Sequence, residues 1–200
     1  MPALLEARPE HWQGWSLEVA LANAGLTAEQ IAAHRGPARR FWSDWFYTTI
    51  YCRHDVPLPG APEFVTLVAA SGAQVAYVTG RPPRMEVGTR DVLTRHGFPY
   101  PDGRRAHLLL KPTPELTDDA WKDQACGAID GLGRVVAAFD NEPAHANGYA
   151  RAWPQARVID LDTDHSQRPI DVAPAIPSIL DFRILRAVPA EELASAAHAG

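Results

Sequence analysis

Cysteine is scarce: Cys52 and Cys126 are the only two in 200 residues. They lie far apart and match no metal-ligand spacing, so neither a disulfide framework nor a zinc site organises the chain. Two reduced, buried thiols of a cytosolic protein are expected. Basic charge is also short. Nineteen Lys and Arg against 24 Asp and Glu give a net charge of -5, which leaves no basic footprint for nucleic acid. A phosphorylated small substrate stays compatible with that balance, because a pocket can be locally positive. No apolar run approaches bilayer length. Met1 to Arg8 has one short apolar patch and no cleavage pattern, so no signal peptide is expected. Repeats and low-complexity tracts are missing too. These absences point to a cytoplasmic protein with neither membrane nor nucleic-acid partners. They leave the oligomeric state open.

What is present suits a packed core. Hydrophobic residues make up 46%, close to the globular average, and the length fits one domain with room for a small appended subdomain. Residues 1–57 read as a helical cap rich in aromatics. Trp12, Trp15, Leu17, Val19, Ala20 and Leu21 lead to a helix stop at Ala24-Gly25. Thr27 and Gln30 then have the spacing of a capping box, and a second helix is expected to end near Gly36-Pro37. Phe41, Trp42, Trp45, Phe46 and Ile50 recur at helical spacing, which reads as core packing, with the lining of a substrate pocket as the alternative.

After the break at Pro57-Leu58-Pro59-Gly60, helices and strands alternate through a core at 58–186. Helices are expected at Glu63–Ala70, Arg84–His96, Asp118–Ile129 and Ala144–Trp153. Strands are expected at Gln74–Val78, Ala106–Leu110, Val135–Phe139 and Arg157–Leu161. Short strands alternating with helices of about ten residues imply right-handed crossovers and a mostly parallel sheet. The unbroken apolar runs suit strands buried on both faces. A tail at 187–200, rich in Ala and Glu, is expected to fray.

Open parallel sheets bind ligands beyond the carboxyl ends of their strands. Here those ends carry Thr79-Gly80-Arg81, Lys111-Pro112, Asp140-Asn141-Glu142-Pro143 and Asp162-Thr163-Asp164-His165-Ser166. Each type has a job at a phosphate. The Thr79 hydroxyl can donate to a phosphoryl oxygen, and Gly80 lets a backbone amide approach closely. Arg81 either binds phosphate or pairs with an acid. Lys122, near the start of a helix, can neutralise charge. Lys111 competes for that role, but the position of Lys122 fits better. Asp140 and Glu142 are hard oxygen ligands suited to Mg²⁺, with helix capping as the alternative for Glu142. His145 and His165 read as solvated or satisfied by the core, and Asn147 as a helix-face residue.

The ordered set of an apolar strand with Thr-Gly, then Lys, then an apolar strand with Asp-Asn-Glu resembles motifs two to four of the haloacid-dehalogenase-like superfamily. The resemblance covers about residues 60–166. Finer strings agree with one bacterial branch: Tyr77-Val78-Thr79-Gly80-Arg81, Met85 with Gly88-Thr89, Phe98-Pro99, Leu110-Lys111-Pro112, Trp121-Lys122, Phe139-Asp140-Asn141-Glu142-Pro143 and Asp162-Thr163-Asp164-His165-Ser166. It implies a Rossmann-like three-layer α/β core and Mg²⁺-dependent hydrolysis of a small phosphate ester through a phosphoaspartate. Thr79 would bind phosphate, Lys122 would neutralise its charge and Asp140 would hold the metal.

The first motif of that family, a strand running into Asp-x-Asp, does not occur between Met1 and Glu63. Asp44 sits in a helical context and Asp55 has no acidic partner. In the family this strand lies mid-sheet, between the strands ending here at Thr79 and at Asp140. Its loss would leave two apolar edges unpaired, which is costly. The expectation is therefore a protein that begins upstream of Met1, with the 200 residues inactive alone. Two other readings stand beside it: a non-catalytic phosphate- or anion-binding protein on the same fold, and a haloacid dehalogenase, made less apt by the Mg²⁺-compatible Asp140-Asn141-Glu142. Val158 to Asp164 also resembles a strand with Asp-x-Asp, a permuted nucleophile. As the start of a calcium loop it has the wrong residues, His165 and Asp171, at two key positions.

Overall fold

A computed structural model describes residues 17–166 and 168–184. Trp12, Trp15 and the tail at 187–200 lie outside them. The fold is mixed α/β, with short parallel strands and no barrel. The chain divides into two compact units, one built from the residues up to Thr48 with Val136–Ser178, the other from Thr49–Val135 with the residues from Ile179 onward.

The first unit opens with α1 (Leu17–Asn23) and α2 (Ala28–Phe41). The capping box forms as the sequence implies: the Thr27 amide donates to Gln30 Oε1 at 2.9 Å and the Gln30 amide to Thr27 Oγ1 at 3.3 Å. Contrary to expectation, α2 does not stop at Gly36-Pro37 but carries Pro37 inside it. Proline removes one amide donor and normally breaks a helix interior. Here tertiary contacts offset that cost. Ala20, Leu21 and Ala38 are buried, and Arg35 and Arg39, on either side of the proline, both reach Glu18 of α1, at 3.0 and 3.2 Å. Two members of the aromatic stripe that follows depart from the expected core packing: Trp45 and Ile50 are 51% and 57% exposed, and the backbone at Trp42–Phe46 is a π turn.

The same unit contains β3 (Ala137–Asp140), α6 (Pro143–Ala152) and β4 (Arg157–Leu161), a parallel βαβ arrangement. The short β5 (Ser178–Ile179) extends the sheet to the order β3-β4-β5. Val158 and Ile159 of β4 are buried with Ala146, Tyr149 and Trp153, whose rings (Tyr149, Trp153) stack at 5.2 Å. Strand β3 starts two residues later than expected. Val135 and Val136 precede the ladder, and Val136 is 56% exposed.

In the second unit α3 (Ala61–Ala70) leads to β1 (Val75–Thr79), α4 (Glu86–Arg95), β2 (Ala106–Leu110) and α5 (Asp118–Asp130). β1 and β2 are parallel, with Val75 opposite Ala106 and Thr79 opposite Leu110. Burial on both faces does not hold for β1, which is half-buried along its whole length. The Tyr77 hydroxyl donates to the Pro99 carbonyl at 3.1 Å, and burial pushes its pKa up to about 12. Thr117 caps α5 by accepting from the Ala120 amide. Phe182 returns late in the chain to pack against Phe64 at 5.4 Å, and its amide donates to the Pro59 carbonyl. That return passes so close to Gly60, at φ +78, that a Cβ there would meet the Arg183 amide nitrogen at 2.9 Å.

The strands expected in one sheet thus form two. Among the described residues, β1 has only β2 as a strand neighbour and β3 only β4. Both cysteines are buried thiols. For Cys126, burial first, and then the carboxylates of Asp123 and Asp130, push the thiol pKa up, as suits an inert core thiol. No described helix is long and apolar enough to cross a membrane.

Gly88 gives a test of the packing of α4. A Cβ at this position would lie 2.6 Å from the Thr49 carbonyl oxygen and 2.9 Å from its Cα. Backbone cannot rotate away, so Gly88→Ala is expected to destabilise the protein by about 1–3 kcal/mol, read as a lower midpoint in urea denaturation.

Candidate functional site

The residues singled out from the sequence fall into two clusters, one in each unit, and each sits where a parallel strand ends. In the second unit β1 ends at Thr79. Its hydroxyl oxygen accepts from the Arg81 amide at 3.2 Å, and its carbonyl accepts from the indole of buried Trp121 at 2.9 Å. Lys122 therefore follows directly on the residue that ties α5 to this turn, and it is half-buried. Lys111 is tied to the turn as well. Its amide donates to the Arg81 carbonyl, and its ammonium lies 2.7 Å from Asp118 Oδ1. That same carboxylate oxygen would be 2.9 Å from a Cβ on Gly80. The Lys111 side chain is 13% exposed and that of Asp118 59%, so an outer carboxylate covers an inner ammonium beside the Thr79-Gly80 turn.

Arg81 takes the acid-pairing option. Its guanidinium meets Asp55 Oδ2 at 2.6 Å and approaches the Thr89 hydroxyl at 3.5 Å. The Asp55 carbonyl in turn faces His96 Nε2 at 3.1 Å. Arg81 thus fastens the 51–55 turn to α4 and the end of β1.

In the first unit β3 ends at Asp140, which is 7% exposed. Asp140 Oδ1 accepts from the Glu142 amide at 3.0 Å and faces His145 Nδ1 at 3.3 Å. Glu142 is 8% exposed and stands at the N-cap of α6, but its side chain does not cap the helix. Instead Oε2 accepts from the Ser166 amide at 3.0 Å, while Oε1 accepts from the Ser166 hydroxyl at 2.8 Å and from Arg168 Nη2 at 2.9 Å. Burial alone would raise the Glu142 pKa. The Ser166 and Arg168 hydrogen bonds outweigh it and hold the carboxyl below its ordinary value.

Two asparagines complete this end of the sheet, and neither was read as a clamp from the sequence. The Asn141 side-chain amide donates to the Asp164 carbonyl. Asn147 donates to the Asp171 carbonyl at 2.9 Å and accepts from the Ala173 amide at 2.8 Å. Asn141, just before α6, thus holds the turn after β4, and Asn147 on α6 holds the 171–173 segment. Within that turn, Asp162 and Asp164 are exposed, whereas Asp160 is buried in the strand. Among the described residues, no three His, Cys, Asp or Glu side chains converge as a metal-ligand group. The nearest sequence signal for the Glu142 network was the string Asp-Asn-Glu itself. Its partners lie 24 and 26 positions away, beyond any local pattern.

Taken together, the fold and these strand ends define a mixed α/β protein with polar clusters at the carboxyl ends of parallel strands. Compared with known proteins, the chain matches no family model, no curated protein and no solved structure.

The Glu142 network sets a pH dependence. A carboxyl held below its ordinary value of 4.5 contributes stability that is full above that value and is lost as pH falls through the folded one. Ser166→Ala and Arg168→Ala are each expected to lower unfolding free energy at neutral pH by about 1–2 kcal/mol. Both should also flatten the acid limb of a stability profile measured by denaturant unfolding across pH.

Proposed function

We propose that these residues form the greater part of a haloacid-dehalogenase-like phosphohydrolase, a cytoplasmic enzyme with a Rossmann-like three-layer core. It hydrolyses a small phosphorylated metabolite with Mg²⁺. The observation that carries this reading is that the strands ending at Thr79 and Asp140 are both edge strands of their own sheets. In that superfamily the strand bearing the attacking aspartate lies between the strands that end here at Thr79 and Asp140. Those are β1 and β3, each an edge strand that pairs, among the described residues, only with β2 and only with β4 respectively.

In this reading the Thr79 hydroxyl and the Gly80 backbone hold phosphoryl oxygens, and Lys122 neutralises their charge, with Lys111 close to the same turn. Arg81 supports the turn through Asp55. Mg²⁺, when bound, supplies charge stabilisation for in-line phosphoryl transfer. The buried, oxygen-only Asp140 suits a hard cation and is the residue to hold it. Glu142, also expected to ligate, has both carboxylate oxygens engaged by Ser166 and Arg168. The attacking aspartate comes from chain outside residues 1–200. The second reading, a non-catalytic anion-binding protein, is favoured by one sequence fact: no strand in residues 1–63 runs into paired aspartates.

Reading the coding DNA in frame upstream of Met1, and assaying both forms with an aryl phosphate and Mg²⁺, separates the two. The enzyme reading expects an upstream strand ending in Asp-x-Asp, no turnover by the 200 residues, and turnover by the extended chain. In that extended chain Lys122→Ala and Asp140→Asn should each lower kcat by about a hundredfold or more. A stop codon directly before Met1, with inorganic phosphate still bound by the 200-residue chain, would instead establish the binding reading.

A further inference from the structure

The three heavy atoms nearest to a Cβ built on Gly80 all belong to one group, the Asp118 carboxyl: Oδ1 at 2.9 Å, Cγ and Oδ2 at 3.2 Å. The room that glycine leaves at the end of β1 is therefore taken by a carboxylate of the chain itself. The same Oδ1 accepts from the Lys111 ammonium at 2.7 Å. An anionic oxygen thus already stands where a glycine and a cation meet, directly after Thr79.

The two sides of this contact are held differently. On the receiving side, the Lys111 amide donates to the Arg81 carbonyl at 3.0 Å and the Trp121 indole to the Thr79 carbonyl at 2.9 Å. The Lys111 side chain is 13% exposed, and an ammonium so enclosed is costly without an anionic partner. On the carboxylate side, Asp118 is 59% exposed. Helix α5 does not need it as a cap, because Thr117 accepts from the Ala120 amide. An ion pair with an exposed partner contributes little, and a carboxylate turned outward here stays in the favourable field of the helix N-terminus. The cation is fixed, and its anion is exchangeable.

We propose that Asp118 is an internal stand-in for a phosphate-type oxyanion: it occupies the anion position between Gly80 and Lys111 in the free protein and swings outward when such a ligand enters. Carboxylate and phosphoryl oxygens are both acceptors for an ammonium, so one replaces the other on Lys111, and glycine at position 80 leaves the ligand the same room. The stand-in keeps Lys111 paired between ligands. It also sets the ligand concentration at which the site fills, because apparent affinity falls with the fraction of molecules in which the position is open. This inference rests on the phosphate role given to the Thr79-Gly80 turn under the proposed function, and adds to it a gate that the reading does not itself require.

The test is calorimetric titration of the 200-residue chain with inorganic phosphate and, in parallel, with phenyl phosphate, at fixed ionic strength and with circular dichroism to check folding. Asp118→Asn is expected to tighten binding by about fivefold or more, since it removes the competitor. Asp119→Asn, which removes the neighbouring charge at the same helix start, should change it by less than about twofold, because exposed charges are screened. Lys111→Met should weaken binding by about tenfold or more. If Asp118→Asn does not fold, Asp118→Ser should show the same gain. A gain with both ligands assigns the position to a phosphate ester, and a gain with inorganic phosphate alone assigns it to the free anion. Unchanged or weaker binding in the Asp118 variant, an equal gain in Asp119→Asn, or undiminished binding in Lys111→Met would overturn the stand-in role and leave the phosphohydrolase reading standing. Failure of every variant to bind either ligand would overturn the anion position itself and, with it, the phosphate role of Thr79 and Gly80.

Discussion

Parallel pairing is the constraint on which the rest of the structure depends. Two parallel strands cannot be joined by a tight turn, so each pair needs a crossover, here a helix between β1 and β2 and another between β3 and β4. Each crossover returns the chain to the same starting edge. Within each of these pairs both strands therefore end on the same side of the sheet. The segments after those ends are freed from the ladder, and they are where Thr79-Gly80-Arg81, Lys111 and Asp140-Asn141-Glu142 stand.

At these strand ends the question for each charged group is whether its partner is part of the protein. Arg81 has Asp55, Lys111 has Asp118, and Glu142 has Ser166 and Arg168. Such groups are committed to holding loops, and their charges are largely compensated from within. The exposed Asp118 over the half-buried ammonium of Lys111 is the least committed of these pairs, because water competes for the carboxylate. Side chains of the same chemical type thus divide into those that build the scaffold and those with chemistry to spare.

Much of the fold was legible in the sequence, for local reasons. Strands β2 and β4 have the limits read from their apolar runs, Ala106–Leu110 and Arg157–Leu161. The capping box at Thr27 and Gln30 formed because it needs only a three-residue spacing. The errors came where distant contacts overrode local preference. Pro37 stays inside a helix braced through Glu18, and Trp45 stays exposed in spite of its spacing. Likewise, the strand ends in the candidate site could be read, but their pairings could not. The partnership of Arg81 with Asp55 spans 26 positions and that of Asn147 with Ala173 also 26, and no periodicity encodes contacts of that range. Asp160 reads as part of the last strand, leading into the aspartates that follow it. Its register opposite Asp140 could not be read in the same way.

The late return of Phe182 has a consequence for the order in which the protein is made. The second unit is not one continuous stretch: Thr49–Val135 is synthesised first, and Phe182, which covers Phe64 and bonds to Pro59, follows only after β3, α6 and β4 have emerged. A chain growing from the ribosome therefore carries α3 with part of its apolar surface uncovered while the intervening βαβ arrangement is translated. Closure of that surface is a long-range event, slow relative to local helix formation. The nascent chain is most exposed to aggregation during this interval.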